Sequence, residues 1–417
     1  MDKKWKRALS VTMGAALTLS LVAGCAGGKK EEGQPQQGGQ GGQKVLRVAM
    51  GLGEDEWKVM RSDVIPKFEQ ANNVKVEAVQ VEAKDVVEKL AAQQKANKVE
   101  IDLITQDVNE LYALVDRGIV EDLSANKNII PDTAIKGMIE AGTFENKLMF
   151  LPYRPNVEIA FYNEKKFQDA GLTPPKTWDD LLNVARTFKD KEKVGRVAIK
   201  ANLEIDNTLH IFDFVRAAGG DPYVLNDEGS VKAFTFMQQL YPHLSPDSKR
   251  ANWNFMNQFL ATESVYLGQN WPFGVNKIVK EGGKKEIKAY SGWRGPVKES
   301  HTLGGEVIGI PKGSPNKDLA LKFAEYLMSK DVQETLVSKL GWPSVRTDAY
   351  GKVEDWQKPY FEAVNSALQY ASPRGNVPYW PTVNQAILDA FKDIVVGGKP
   401  VKETLDIYAK KIADVKK

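Results

Sequence analysis

Apolar residues run almost unbroken from Ala8 to Ala23, interrupted only by small or hydroxylated side chains, behind a basic cluster of Lys3, Lys4, Lys6 and Arg7. The run is shorter than the about 20 residues a membrane span needs, and it has the length and flanks of an export signal's core. From Gly27 to Gln43 the pattern inverts to GGKKEEGQPQQGGQGGQ, with nothing apolar to bury. Such a stretch predicts a flexible tether with an r.m.s. reach of roughly 20–25 Å.

Beyond the tether the pattern becomes periodic. Val45–Met50 alternates as a strand, and Gly51-Leu52-Gly53 turns it. From Asp55 to Gln70, Trp57, Val59, Met60, Val64, Ile65 and Phe68 recur at helical spacing, with Pro66 expected to kink or split the helix. Strands follow at Val74–Val81 and Ile101–Thr105, with helices at Val86–Ala96 and Leu111–Val115. After Leu148 a second block opens with a strand at Ile159–Tyr162 and a helix at Glu164–Ala170. Thr177-Trp178-Asp179-Asp180 has the form of a capping box, and Trp178 within it reads as packing. Helices are expected near Thr208–Ala218, Val231–Leu240, Trp253–Leu260, Asp318–Ser329, Gln333–Leu340, Val383–Val396 and Val401–Ala413. The strand–helix rhythm predicts an α/β fold with mainly parallel sheets covered on both faces. About 370 residues exceed one ordinary core and predict two lobes.

Charge and cysteine usage sharpen this. Four of the 57 basic residues and one of the 54 acidic ones lie in the first 24 positions, so the remainder balances at 53 against 53. A neutral body argues against a nucleic-acid partner. The single cysteine closes the run Leu21-Val22-Ala23-Gly24-Cys25. That run resembles a bacterial lipobox, which implies cleavage before Cys25, a lipid on its sulfur, and a chain anchored on the extracytoplasmic face of a cell membrane.

Catalytic signatures are sparse. His210, His243 and His301 are isolated, without metal-ligand spacing, and no G-x-S-x-G elbow occurs. Gly51-Leu52-Gly53 lacks the third glycine of a dinucleotide loop, and Glu54, Asp55 and Glu56 would repel a pyrophosphate. No cofactor and no metal are expected. A carboxylate pair for glycoside hydrolysis stays open, since 54 acidic residues offer many pairs.

Several stretches in a fixed order carry a family resemblance. They include Gly118-Ile119-Val120-Glu121-Asp122-Leu123-Ser124, Lys147–Pro152, Phe161-Tyr162-Asn163-Glu164, Pro175-Lys176-Thr177-Trp178-Asp179-Asp180-Leu181, Gly268-Gln269-Asn270-Trp271-Pro272-Phe273 and Gly309-Ile310-Pro311. In these the chain resembles the family-1 extracellular solute-binding proteins of ABC importers, the maltose- and trehalose-type sugar binders. The resemblance implies a two-lobed type II periplasmic-binding-protein fold with the ligand cleft between the lobes. It places residues 44–152 and 306–346 in the first lobe and 153–305 and 347–417 in the second, with crossings near Pro152–Glu158 and Glu306. The implied partners are a sugar ligand and the permease subunits of an ABC transporter, with the binder itself a monomer and not an enzyme. Another solute (a polyamine, an opine or a glycerol phosphate) and a surface carbohydrate-active enzyme are the alternatives.

A sugar offers hydroxyl edges, suited to carboxylates, Asn and Arg, and an apolar C–H face, suited to aromatic rings. In the expected cleft loops the candidates are Glu54, Asp107, Tyr153, Arg154, Asn156, Trp271, Trp293, Gly305, Glu306, Trp342, Arg374 and Trp380. Glu54 and Asp107 read equally as helix-start acids favoured by the dipole. Arg154 reads also as a lobe-to-lobe salt bridge. The four tryptophans are either stacking platforms or core.

Overall fold

The computed structural model describes residues 43–79, 81, 85–203 and 208–416, so the expected signal segment, Cys25 and the tether through Gly42 lie outside the described residues. The first alternating run forms β1 (Lys44–Ala49), followed by β2 (Val74–Ala78) and β3 (Leu103–Asp107). Between β1 and β2 the helical run comes in three parts: Glu54–Val59, a π-helical turn at Met60–Val64, and Ile65–Asn72. Pro66 sits in the first turn of the last part, and the wide π turn directly ahead of it makes room for its ring and its missing N–H. Further along come the short hairpin of β4 (Thr143–Phe144) and β5 (Lys147–Leu148), then β6 (Leu151–Asn156) and β7 (Ile159–Asn163). The remaining strands are β8 (Val197–Ala198), β9 (Leu267–Asn270), β10 (Ile287–Tyr290), β11 (His301–Gly309) and β12 (Ala371–Pro373).

Two larger sheets result. The first joins β12, β11, β3, β1 and β2 in that order, with β6 also on β11; the second runs β10-β7-β9-β8. The expected parallel pairing holds for β1 with β2, β1 with β3, β8 with β9 and β11 with β12. It gives way to antiparallel pairing where β11 meets β3 and β6, and where β7 meets β9 and β10. β9 and β10 flank β7 and run parallel to each other, joined by the long connection through 271–286. β6 leads into β7 through two residues, passing from the first sheet to the second.

Alternation along β7 explains how the second sheet is covered. Ile159 and Phe161 face the helices Trp253–Ala261 and Lys358–Leu368, in an apolar core continuous with that of the first sheet. Ala160 and Tyr162 face the opposite way, toward the helices Trp178–Glu192, Thr208–Ala217, Glu228–Leu240, Trp380–Ala390 and Val401–Val415. The capping box forms as expected, Thr177 accepting from Asp180 and Asp180 accepting from Thr177. Trp178 stacks on Phe236 with centroids 4.5 Å apart, confirming it as packing. The π-helical stretch Phe391–Val396 extends the helix before it, as the long Val383–Val396 pattern requires.

β6 and β11 are both strands of the first sheet. Past Trp342 the chain still holds to the first sheet's surroundings: Thr347 donates its backbone N–H to the Thr133 carbonyl, and Thr133 donates to Asp348. Among the described residues no helix is long and apolar enough to cross a membrane, and no cluster of three or more His, Cys, Asp or Glu is placed to hold a metal.

Candidate functional site

Register on the first sheet lines up three charged side chains. Glu306 on β11 is the direct partner of Asp107 on β3 and of Arg154 on β6. Directly opposed residues share a face, so Arg154, Glu306 and Asp107 form one row across three strands. Gly304 and Thr302, two and four residues earlier on β11, lie on the same face, and Gly304 is opposite Asn156.

Arg154 organises the row. Its Nη2 donates to Glu306 at 2.7 Å and its Nη1 to Glu56 at 3.1 Å. The guanidinium lies over the Trp342 ring, 4.2 Å from its centroid, and the Trp342 indole N–H donates to the same Glu56 oxygen at 3.1 Å. Tyr153, fully buried, meets Trp342 edge-on. Burial alone would lower the Arg154 pKa, but Glu306 and Glu56 hold it above its ordinary value. Burial raises Glu306; Arg154 opposes the rise, and Asp107 and Glu56 add to it. Burial likewise raises Asp107, against Asn109 and Arg374.

Arg374 closes the other end of the row. It is buried and stacked on Trp380 at 3.6 Å, and it donates to the Asn109 carbonyl at 2.6 Å. Burial pulls its pKa down to about 10. Asn376 beside it donates to the Val108 carbonyl at 2.9 Å and accepts from the Leu111 N–H at 3.3 Å. The stretch after β12 is thus fastened to the turn after β3.

From the second sheet come Lys200, two residues past β8, and Trp271, directly after β9. Lys200 is ion-paired to Glu158, and both are nearly fully buried. The Lys200 ammonium lies 5.6 Å from the Trp271 ring centroid. Trp271 is half-buried and lies against Gly304, where an added Cβ would come within 3.0 Å of its ring. Asp213, from the helix Thr208–Ala217, accepts from Thr302 at 2.7 Å, and burial pushes its pKa up to about 7. Asp107 ends β3, and Glu56, Lys200 and Trp271 follow the carboxyl ends of β1, β8 and β9, where open α/β sheets place their ligands.

Buried charges cost desolvation that only close pairing and hydrogen bonds offset. Some polar atoms here have no hydrogen-bond partner among the described residues: Tyr153 Oη, Arg154 Nε, Glu158 Oε2, Glu306 Oε2 and Arg374 Nε. Paired planar groups beside Trp271, Trp342 and Trp380 offer hydrogen bonds to hydroxyl edges and rings to C–H faces.

The structure brings Asp107, Tyr153, Arg154, Asn156, Trp271, Gly305, Glu306, Trp342, Arg374 and Trp380 into or against this belt. Two expected residues stand apart. Glu54 is exposed and pairs with Arg61 at 3.1 Å; the helix turns its neighbour Glu56 inward instead. Trp293 is buried in the second core, held as its neighbour Arg294 bonds the Lys176 carbonyl. Asn156 turns its side-chain oxygen back to the Val157 N–H, and Gly305 serves the backbone, with φ +113° against the Arg154 carbonyl. Glu158, Lys200, Asp213 and Thr302 escaped the sequence reading. Glu158 and Lys200 carried a usable signal, being charges in otherwise apolar strand-end stretches.

Known proteins agree with this architecture. The chain is 26% identical over 257 residues to a probable amino-acid ABC transporter periplasmic-binding protein of Sinorhizobium fredii, covering 59% of this chain and 57% of that protein. It is 22% identical to a maltooligosaccharide ABC transporter solute-binding lipoprotein of Streptococcus pneumoniae, across 96% of this chain and 95% of that one. The crystal structure of a cyclic α-maltosyl-1,6-maltose binding protein from Arthrobacter globiformis matches with a TM-score of 0.77 at 19% identity, over 90% of this chain and 99% of that one. The fold is the two-lobed type II fold of periplasmic binding proteins. Residues 63–363 match the pattern of one family, and on that match the chain belongs to the bacterial extracellular solute-binding proteins.

Proposed function

We propose that this protein captures a sugar or small oligosaccharide between its two sheets and delivers it to the permease of an ABC transporter. The observation that carries this reading is the row Arg154–Glu306–Asp107, flanked by Trp271, Trp342 and Trp380 and containing buried polar atoms without partners. The S. pneumoniae relative, whose match spans nearly the whole chain, supports it. Those polar atoms are shut from solvent in this conformation, so the ligand enters when the sheets part. The lobes are residues 44–152 with 306–346, extended to Asp348 by the Thr133 contacts, and the rest of 153–417. They hinge through Pro152–Glu158 and the glycine pair before Glu306. The protein acts as a monomeric binder, not an enzyme, held at the cell membrane by lipid on Cys25.

A second reading takes the ligand as an anionic or zwitterionic solute of opine or amino-acid type. The unpartnered Nε atoms of Arg154 and Arg374, and the S. fredii relative, favour it. A melting screen with maltose through maltotetraose, against amino acids and opines, separates the two. A ligand at 100 times its Kd adds about 2.7 kcal/mol, about 3 °C for a chain of this size. A shift with amino acids and none with any saccharide would overturn the sugar reading. Cleavage of the saccharide on prolonged incubation would overturn the binder. Release of a Cys25→Ser chain into the medium tests the anchor.

A further inference from the structure

The mouth of a second cavity opens away from the charged belt, between β10, the π-helical turn Asn276–Glu281 and the helix Lys358–Leu368. Its volume is about 550 Å³, within the range of small-molecule sites. Val279, Ala289, Trp356 and Tyr360 form an apolar floor, and Lys280, Lys285 and Lys288 stand around it.

The acids nearby pair with lysines outside the cavity, except Glu354, which meets only the neutral indole of Trp356. Glu281 pairs with Lys277 at 3.0 Å, and Glu263 and Glu286 pair with Lys284 at 2.7 and 3.7 Å. Asp355 pairs with Lys358 at 2.6 Å, and Glu354 accepts from the Trp356 indole at 2.7 Å. Among the described residues none of the three cavity lysines has an ion-pair partner; Lys288 donates only to the Lys285 carbonyl, at 3.0 Å. The Tyr360 hydroxyl is spent on the Ile287 carbonyl at 2.5 Å. The side chains lining this cavity therefore present an aromatic and aliphatic surface ringed by three lysines without ion-pair partners among the described residues, with no carboxylate or carboxamide in the lining.

That chemistry excludes two ligand classes. A sugar's hydroxyl protons would find no side-chain acceptor, since an ammonium only donates. A cation would meet three like charges. What complements the cavity is an apolar body bearing negative charge. We propose that it binds a small anionic amphiphile, a carboxylate, sulfonate or phosphate ester on an aromatic or aliphatic frame, independently of the belt between the sheets.

The test titrates the full chain with 8-anilinonaphthalene-1-sulfonate and, in parallel, with its uncharged analogue N-phenyl-1-naphthylamine, reading fluorescence. The sulfonate should saturate at one site per chain. Lys280→Gln with Lys288→Gln should weaken it about tenfold, 0.5 M NaCl should weaken it similarly by screening, and the uncharged probe should be indifferent to both. Trp356→Ala should weaken both probes, because it removes floor area. Equal sulfonate affinity in the wild type and the double lysine variant, or no saturable site at all, would overturn the proposal.

Discussion

Replacing Arg154 by methionine keeps the length of the side chain and removes its charge, which leaves Glu56 and Glu306 facing each other and Asp107 unopposed from that side. Breaking a buried pair by deleting one partner costs about 3–5 kcal/mol. Here the side chains of Arg154, Glu306 and Glu56 keep 20%, 13% and 27% of their exposure, so water relieves part of the loss. We expect about 2–3 kcal/mol at pH 7. With about 2.1 cal/mol/K of unfolding entropy per residue, the roughly 375 residues of Gln43–Lys417 turn that into a fall in melting temperature of about 3–4 °C. The loss should depend on pH in a definite direction. Burial already holds the folded-state pKa of Glu306 above its ordinary value, and removing Arg154 takes away the charge that opposes this. An acid raised in the folded state binds its proton more tightly there than in the unfolded chain. Its contribution is complete below the unfolded value of about 4.3 and is lost as pH rises through the folded value. The variant's deficit should therefore shrink as pH falls from 7 toward 4.5. Arg154→Met combined with Glu306→Gln should recover most of it. Circular-dichroism melting at several pH values reads all three. A deficit that ignores pH, or a double variant no better than the single one, would refute the coupling.

Trp271→Ala should weaken saccharide binding roughly 5- to 150-fold by loss of an anchor ring, measured by calorimetry, yet cost the free protein less than the about 3–5 kcal/mol of a core tryptophan. Gly305→Ala should cost at least about 3 kcal/mol, because φ is +113° and the new Cβ would lie 2.0 Å from the Arg154 carbonyl oxygen. Gly304→Ala meets the Trp271 ring edge at 3.0 Å and Asn156 only at ordinary contact distance, 3.8 Å, and should spare the melting temperature while lowering saccharide affinity. Asp213, raised to about 7 by burial, contributes stability that is full below about pH 4 and lost as pH rises through about 7. Asp213→Asn should therefore melt higher than the wild type at pH 8 and gain nothing at pH 4. The geometry agrees, since the Thr302 hydroxyl faces both Asp213 and the Leu209 carbonyl with one proton to give.

Periodicity and punctuation determined the local elements. The helix around Pro66, the Thr177 capping box and the long C-terminal pattern each appeared where apolar spacing and capping chemistry placed them, because those forces act within a few residues. β6 and β11 were hidden by the same logic: Leu-Pro-Tyr-Arg-Pro-Asn carries two prolines and His-Thr-Leu-Gly-Gly-Glu a glycine pair, and local propensity reads both as loop. Only tertiary pairing makes them strands. The candidate site divides in the same way. Residue chemistry pointed to Arg154, Trp342 and Arg374, since planar charges and loop tryptophans are poor core material, and the family resemblance added Asp107, Trp271 and Glu306. The sequence left open whether Glu54 or Glu56 turns inward, whether Trp293 or Trp342 reaches the belt, and that Glu158 finds Lys200. A helix turn separates the first pair by 200°, and residues distant in sequence decide the others. Which side chains share a site is a property of register and crossing strands, and these exist only once the chain has folded.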